Sequence, residues 1–112
     1  MLEVKSEVLE GALVLHLVGR LDGVTSKSFI EQTAAPGLAQ YARVVLNCNA
    51  LSYISSEGLR VILMAAKKAK SSGGALTLCD VRPSVGEVMV ISGFGDMLGV
   101  HADIPQAIKA IS

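Results

Sequence analysis

The stretch from Arg43 to Ser71 constrains the fold more than any other part of the chain. Arg43-Val44-Val45-Leu46-Asn47-Cys48 is a short apolar run, the pattern of a central parallel strand covered on at least one face. Asn49 to Ile54 then reads as a loop, and a helix follows over roughly Ser56 to Ser71. Its apolar positions Leu59, Ile62, Leu63 and Ala66 keep the three-four spacing of one buried face. Lys67, Lys68 and Lys70 fall in its last turns, where positive charge complements the helix dipole, and Ser72-Gly73-Gly74 stops it.

The flanking segments extend this pattern. Leu2, Val4 and Val8 alternate as a strand, and Ala12 to Val18 reads as a second, with Glu10-Gly11 suited to the tight reversal of a hairpin. Gly19-Arg20-Leu21-Asp22-Gly23 breaks the alternation. Thr25 or Ser26 can cap a helix that begins near Lys27, with Phe29, Ile30 and Thr33 on one side. Pro36-Gly37 disturbs or ends that helix, and helical geometry can resume through Leu38-Ala39. Ala75 to Cys79 is another buried strand, and Pro83 can open a helix that runs through Ile91. After Ser92-Gly93-Phe94-Gly95 come a short strand around Leu98 to His101 and a last helix, Ile104 to Ile111.

A hairpin followed by strand–helix alternation predicts an α/β fold with a mostly parallel sheet of four to five strands, an N-terminal antiparallel hairpin and about four helices. The right-handed crossover rule predicts successive helices on a common side of the sheet. With 112 residues and no internal repeat or linker, residues 1–112 read as one domain.

Composition narrows the function. Hydrophobic residues make up 51% of the chain but aromatic ones only 4%, so the core must be built from Val, Ile, Leu, Ala and Met. Ten basic and ten acidic residues cancel. That leaves no basic surplus for nucleic acid and no polybasic membrane anchor. No run approaches the roughly 18 apolar residues needed to cross a bilayer, and the alternating N-terminus has no apolar signal core. The expectation is a soluble, cytoplasmic chain with no direct membrane insertion. Cys48 and Cys79 then read as reduced, buried thiols.

Cofactor and catalytic signatures are weak. The cysteines lack C-x-x-C spacing, and neither His16 nor His101 stands at ligand spacing from one, so no metal site is expected. Gly93-x-Gly95 does not complete a dinucleotide fingerprint, and no Gly-x-x-x-x-Gly-Lys loop exists. No Ser-His-Asp set is visible. The chain reads as a binding protein without a cofactor, not as an enzyme.

One segment concentrates chemistry: Leu51-Ser52-Tyr53-Ile54-Ser55-Ser56-Glu57-Gly58-Leu59-Arg60. It leads from a buried strand onto a helix N-terminus, which offers unpaired N–H groups and about half a positive charge. Ser55 and Ser56 are placed to be the cap and the first helical residue. A serine here is either only a cap, contributing about 1 kcal/mol, or a hydroxyl that receives a phosphate at a site suited to hold one. Asp22, in a Gly-flanked turn, is by itself a turn or cap residue. Along the helix, Glu57, Arg60, Met64 and Lys67 or Lys68 line up opposite the buried face. Met64 there is either a contact or an ordinary exposed methionine.

This segment, following Val44 to Leu46, resembles the signature of the STAS-domain anti-sigma factor antagonists. Gly19-Arg20-Leu21-Asp22 is similar to that family's Gly-x-Leu-Asp turn, and Ser72-Gly73-Gly74-Ala75-Leu76 to its Gly-Gly approach to the next strand. Val81-Arg82-Pro83-Ser84-Val85 with Ile91-Ser92-Gly93-Phe94 resembles its third helix and the end of that helix. The resemblance covers nearly the whole chain, in order.

It implies a partner-switching regulator of transcription. The partner would be an anti-sigma factor that is also a GHKL-type serine kinase, and a PP2C-type phosphatase would reset the switch. The family loop reads Asp-Ser-Ser-Gly or Asp-Ser-Thr-Gly. Carried over by position, the aspartate falls on Ser55, the phospho-acceptor on Ser56, and the next hydroxyl residue on Glu57. With the exposed side of the helix added, the expected partner-binding set is Asp22, Ser55, Ser56, Glu57, Gly58, Arg60 and Met64. Both neighbours of the acceptor have changed, and Glu57 would repel a phosphate carrying about −1.5 to −2 charges. A second reading therefore stands beside the first, that of an unphosphorylated STAS subunit of a lipid or solute transporter that contacts its ATPase.

Overall fold

In a computed structural model of the protein, residues 1–33, 41–91 and 98–111 are described. Within them the chain forms β1 (Leu2–Leu9), β2 (Ala12–Leu21), α1 (Ser26–Thr33), β3 (Arg43–Ile54), α2 (Ser56–Ser71), β4 (Ala75–Cys79), α3 (Pro83–Ile91), β5 (Val100–His101) and α4 (Ile104–Ala110). The strands make one sheet in the order β1-β2-β3-β4-β5. β1 pairs antiparallel with β2, and every later pairing is parallel. The segments read as Pro36-Gly37, Leu38-Ala39 and Ser92-Gly93-Phe94-Gly95 lie outside the described residues.

The hairpin forms as its turn residues dictate. Leu9 faces Ala12, so Glu10-Gly11 is a two-residue loop, and both residues have positive φ (49° and 79°), the twist that suits adjoining strands. α2 and α3 occupy the spans read from sequence. Ser72 to Gly74 close α2 through amides that return to the carbonyls of Lys68, Ala69 and Lys70.

Two features lengthen the sheet beyond the sequence reading. β2 does not break at Gly19 but runs on to Leu21, and Asn49 to Ile54 is strand rather than loop. The two extensions pair with each other: Val18 with Ala50, Gly19 with Leu51, Arg20 with Tyr53 and Leu21 with Ile54. Burial of Leu21, Leu51 and Ile54 draws both strands onward under the helices. Two bulges mask the pattern. Cys48 and Asn49 together face Leu17, and Ser52 is extra between the Gly19 and Arg20 pairings.

The main core lies between one sheet face and α1, α2 and α3. It packs Leu13, Leu15, Leu17 and Leu46 against Phe29, Leu59, Ile62 and Met89. α4 departs from the common-side expectation. Ala107 and Ile108 cover the opposite face, over Ala12, Val14, Val45 and Cys79. The crossover rule binds a helix that joins two parallel strands, and α4 leads into no further strand among the described residues. The small apolar floor on that second face is what recruits it. α1 holds a smaller correction. Phe29 and Thr33 share the buried side, four residues apart, while Ile30 turns outward and is 45% exposed.

Candidate partner-binding site

β3 hands the chain to α2 with a single residue between them. Ser55, in extended conformation, donates its N–H to the Leu21 carbonyl at 3.0 Å, which ties the junction to the end of β2. Its Oγ accepts from the Gly58 N–H at 3.1 Å and its carbonyl from the Leu59 N–H at 2.9 Å. Ser55 is thus the N-cap, and its hydroxyl is spent on folding. Ser56 is the first helical residue. It is exposed, and its hydroxyl makes no hydrogen bond among the described residues.

Gly58 lies beneath the surface that its neighbours form. A Cβ at this position would overlap the Leu21 carbonyl oxygen and stand 3.0 Å from Ile54 Cγ1. The first turn of α2 therefore rests directly on the β2 backbone, which only glycine permits. Around it, Glu57, Arg60 and Met64 are exposed along one side of the helix. Glu57 and Arg60 are 3.9 Å apart, a loose surface pair.

Asp22 enters the site from β2, one residue past the carbonyl that holds Ser55. Its Oδ1 accepts from the N–H groups of Val24 and Thr25, each at 3.0 Å. The Thr25 hydroxyl points back to the Arg20 carbonyl at 2.8 Å. Asp22 thus holds the amides that lead into α1, while Thr25 takes the cap position, its carbonyl accepting from the Phe29 N–H at 2.9 Å. The Thr25 N–H is the main cause that keeps the Asp22 carboxyl below its ordinary range, helped by the Val24 N–H, the Thr25 hydroxyl and Arg20 against partial burial.

A carboxylate held low adds stability above its unfolded pKa, and that contribution disappears as pH falls through the folded one. We expect the denaturant midpoint of the wild type to drop more steeply below about pH 4 than that of Asp22→Asn, which keeps the acceptor oxygen without the charge. Parallel acid profiles would show that the carboxylate contributes nothing.

Three exposed residues here escaped the sequence reading. The Arg20 guanidinium lies 4.3 Å from the centroid of the Tyr53 ring, and its Nε is 3.6 Å from Asp22 Oδ2. Val24 is 88% exposed beside them. Arg20 and Tyr53 sit inside the quoted motifs, but their stacking follows from strand register, which those motifs do not show. The two thiols take no part. Burial pushes Cys48 up to about 12 and Cys79 up to about 11, so neither is a nucleophile at neutral pH.

A mixed sheet with helices on both faces, launching a serine-capped helix beside the end of its second strand, defines the STAS class of domain. The chain belongs to the STAS-domain family of anti-sigma factor antagonists: the family model described as STAS domain matches residues 3–107. BtrV of Bordetella bronchiseptica, a candidate anti-sigma factor antagonist, is 45% identical over 82 residues, which cover 70% of this chain and 71% of BtrV. The anti-sigma F factor antagonist of Paenibacillus polymyxa is 31% identical over 101 residues, covering 89% of this chain and 86% of its own. Among solved structures, the unphosphorylated form of the antagonist SpoIIAA superposes with a TM-score of 0.75 at 22% identity, over 98% of this chain and 95% of SpoIIAA. That likeness supports the fold. SpoIIAA, a Bacillus cell fate determinant, also has a structure in its phosphorylated form.

Among the described residues, no helix is long and apolar enough to cross a membrane, and no three His, Cys, Asp or Glu side chains group to hold a metal ion.

Proposed function

We propose that this chain is an anti-sigma factor antagonist that docks on an anti-sigma factor through Asp22, Ser56, Glu57, Arg60 and Met64, and that phosphorylation of Ser56 dissolves the complex. The observation that carries the reading is the division of labour between two adjacent serines. Ser55 spends its hydroxyl on capping α2, whereas Ser56 presents an unengaged, exposed hydroxyl at the same helix N-terminus. Ser55 and Gly58 act from below, fixing where α2 begins.

The partner is an anti-sigma factor with GHKL-type serine kinase activity. The unmodified rim docks, the bound kinase transfers the ATP γ-phosphoryl group to the Ser56 hydroxyl, and a dianion in the interface then raises the cost of desolvation and adds repulsion. A PP2C-type phosphatase hydrolyses the phosphoserine and restores the binding form in the cytoplasm. Incubation with the cognate anti-sigma factor and ATP should add one phosphate, located by peptide mass spectrometry at Ser56 and not Ser55.

Substitutions on the exposed side of α2 test the docking surface separately. Met64→Glu and Arg60→Glu should weaken binding to the anti-sigma factor by tenfold or more, about 1.4 kcal/mol. They should shift folding stability by under about 0.5 kcal/mol, because Met64 is 53% exposed and Arg60 is an exposed side chain in a loose pair with Glu57. Wild-type affinity in both would remove this helix from the interface.

The Glu57 carboxylate, next to the acceptor, favours a second reading: a STAS subunit of a lipid or solute transporter that contacts its ATPase without being phosphorylated. Binding to a transport ATPase, and no modification of Ser56 by any kinase partner, would select it.

A further inference from the structure

His16, in the middle of β2, has a partner on each ring nitrogen. Nε2 lies 2.8 Å from Glu7 Oε1 on β1, and Nδ1 lies 2.9 Å from Asn47 Nδ2 on β3. Donors on its far side fix the orientation of Asn47. Its Oδ1 accepts from the Asn49 N–H at 3.2 Å and from the Cys79 thiol at 3.8 Å. The amide nitrogen of Asn47 therefore faces His16, and because that nitrogen only donates, Nδ1 must accept. The imidazole is neutral, and its one proton sits on Nε2, donated to Glu7.

This arrangement bears on the backbone of β3. The bond from the Asn49 N–H to Asn47 Oδ1 spans the first bulge, Cys48 and Asn49, where β3 gains a residue over β2. The rest of Asn49 is anchored elsewhere: its Nδ2 donates to Asp80 Oδ2 at 2.8 Å, and its carbonyl accepts from Arg82 Nε at 2.8 Å. The Asn49 N–H thus bonds to Asn47, whose amide nitrogen in turn bonds to His16.

We infer that the Glu7–His16–Asn47 line is a proton-operated latch on the β3 bulge. A proton taken from solvent onto Nδ1 sets two donors against each other. Asn47 relieves the conflict by turning its amide over, so that Oδ1 accepts from Nδ1–H. Its nitrogen then faces the Asn49 N–H, which loses its acceptor, and the bulge is released.

The surrounding charges allow the step. The Nε2–H stays on Glu7, whose carboxylate supports the imidazolium. Lys5, directly across from His16, opposes it but is paired with Glu3 at 3.6 Å. β4 offers Cys79, held as a thiol by burial, and Asp80 is engaged by Asn49. His101 is the register partner of Cys79 on β5, and Asp103 caps α4 through the Gln106 N–H. The latch operates independently of any modification at Ser56.

Imidazole and amide NMR on the full chain tests this between about pH 8 and about pH 5, where imidazoles titrate. At the alkaline end the His16 ring should carry its proton on Nε2. On acidification the Asn49 backbone amide and the Asn47 side-chain amide should shift with the same midpoint as the ring. In Asn47→Asp a carboxylate accepts from both sides without turning over, so the Asn49 amide should stop following the ring while the ring still titrates. In His16→Gln, folded by its amide dispersion, the Asn49 shift over this range should vanish. A ring protonated on Nδ1 at the alkaline end would overturn the latch, as would an Asn49 amide that ignores the ring or still follows it in Asn47→Asp.

Discussion

Phosphorylation of Ser56 is expected to weaken the complex with the anti-sigma factor by about a hundredfold, equal to about 2.7 kcal/mol. The phosphate brings about −1.5 to −2 charges to an exposed position with Glu57 as its immediate neighbour. Its binding to the α2 N-terminus offsets part of that repulsion in the free protein, which favours the dissociated state further. Ser56→Ala should fold normally, because Ser55 and not Ser56 caps the helix, and should bind constitutively. Ser56→Asp should bind more weakly than wild type but more tightly than the phosphoprotein, since one carboxylate carries less charge. Glu57→Ser should speed modification by removing a repelling neighbour. Calorimetric titration of each variant, with and without ATP treatment, measures these steps. A cognate kinase that binds tightly and leaves Ser56 unmodified would sink the switch and favour the transporter reading.

Gly58→Ala is expected to carry a large cost to the fold for a single methyl group. Alanine is the better helix former by about 1 kcal/mol, so an unobstructed helix would gain from the change. Here the new Cβ meets the Leu21 carbonyl oxygen, a backbone atom tied to the Ser55 N–H, as well as Ile54 Cγ1. Neither neighbour is the free end of a flexible chain, so α2 or the end of β2 must move. Overpacking of this kind costs typically 1–3 kcal/mol. A net loss of about 2 kcal/mol would lower the melting temperature by about 10 °C for a domain of this size. Displacing the first turn also moves Ser56, so phosphorylation should slow together with the loss of stability. A melting temperature within a degree or two of wild type would show that the junction yields without strain.

The parts of the fold legible in the sequence are those whose signal is local. α2 announced itself through a three-four apolar spacing and a serine start, β4 through a short apolar run between Gly74 and Asp80, and the hairpin through Glu10-Gly11. What escaped depends on partners distant in sequence. Asn49 to Ile54 looks like a loop because bulges at Cys48–Asn49 and Ser52 destroy its alternation, and only pairing with Val18 to Leu21 makes it strand. Gly58 looks like one more surface position of the motif until its contact with Leu21 is seen. Arg20 and Tyr53 are 33 residues apart in number, and nothing local to either one signals that they stack. α4 is legible as a helix, but the side it covers is set by Ala12, Val14 and Val45, whose own facing depends on sheet register.

The stacking of Arg20 on Tyr53 also gives the molecule an optical handle. The chain has two tyrosines and no tryptophan, so no indole is present to collect tyrosine emission by energy transfer. Tyr53 stands at the rim beside Asp22 and the start of α2, with a guanidinium over its ring. Any event that lifts Arg20 away, or covers the ring with protein, changes the light that tyrosine emits. A titrant lacking tryptophan could therefore be followed by the protein's own fluorescence, with Tyr53→Phe as the blank and no dye attached to the surface under test.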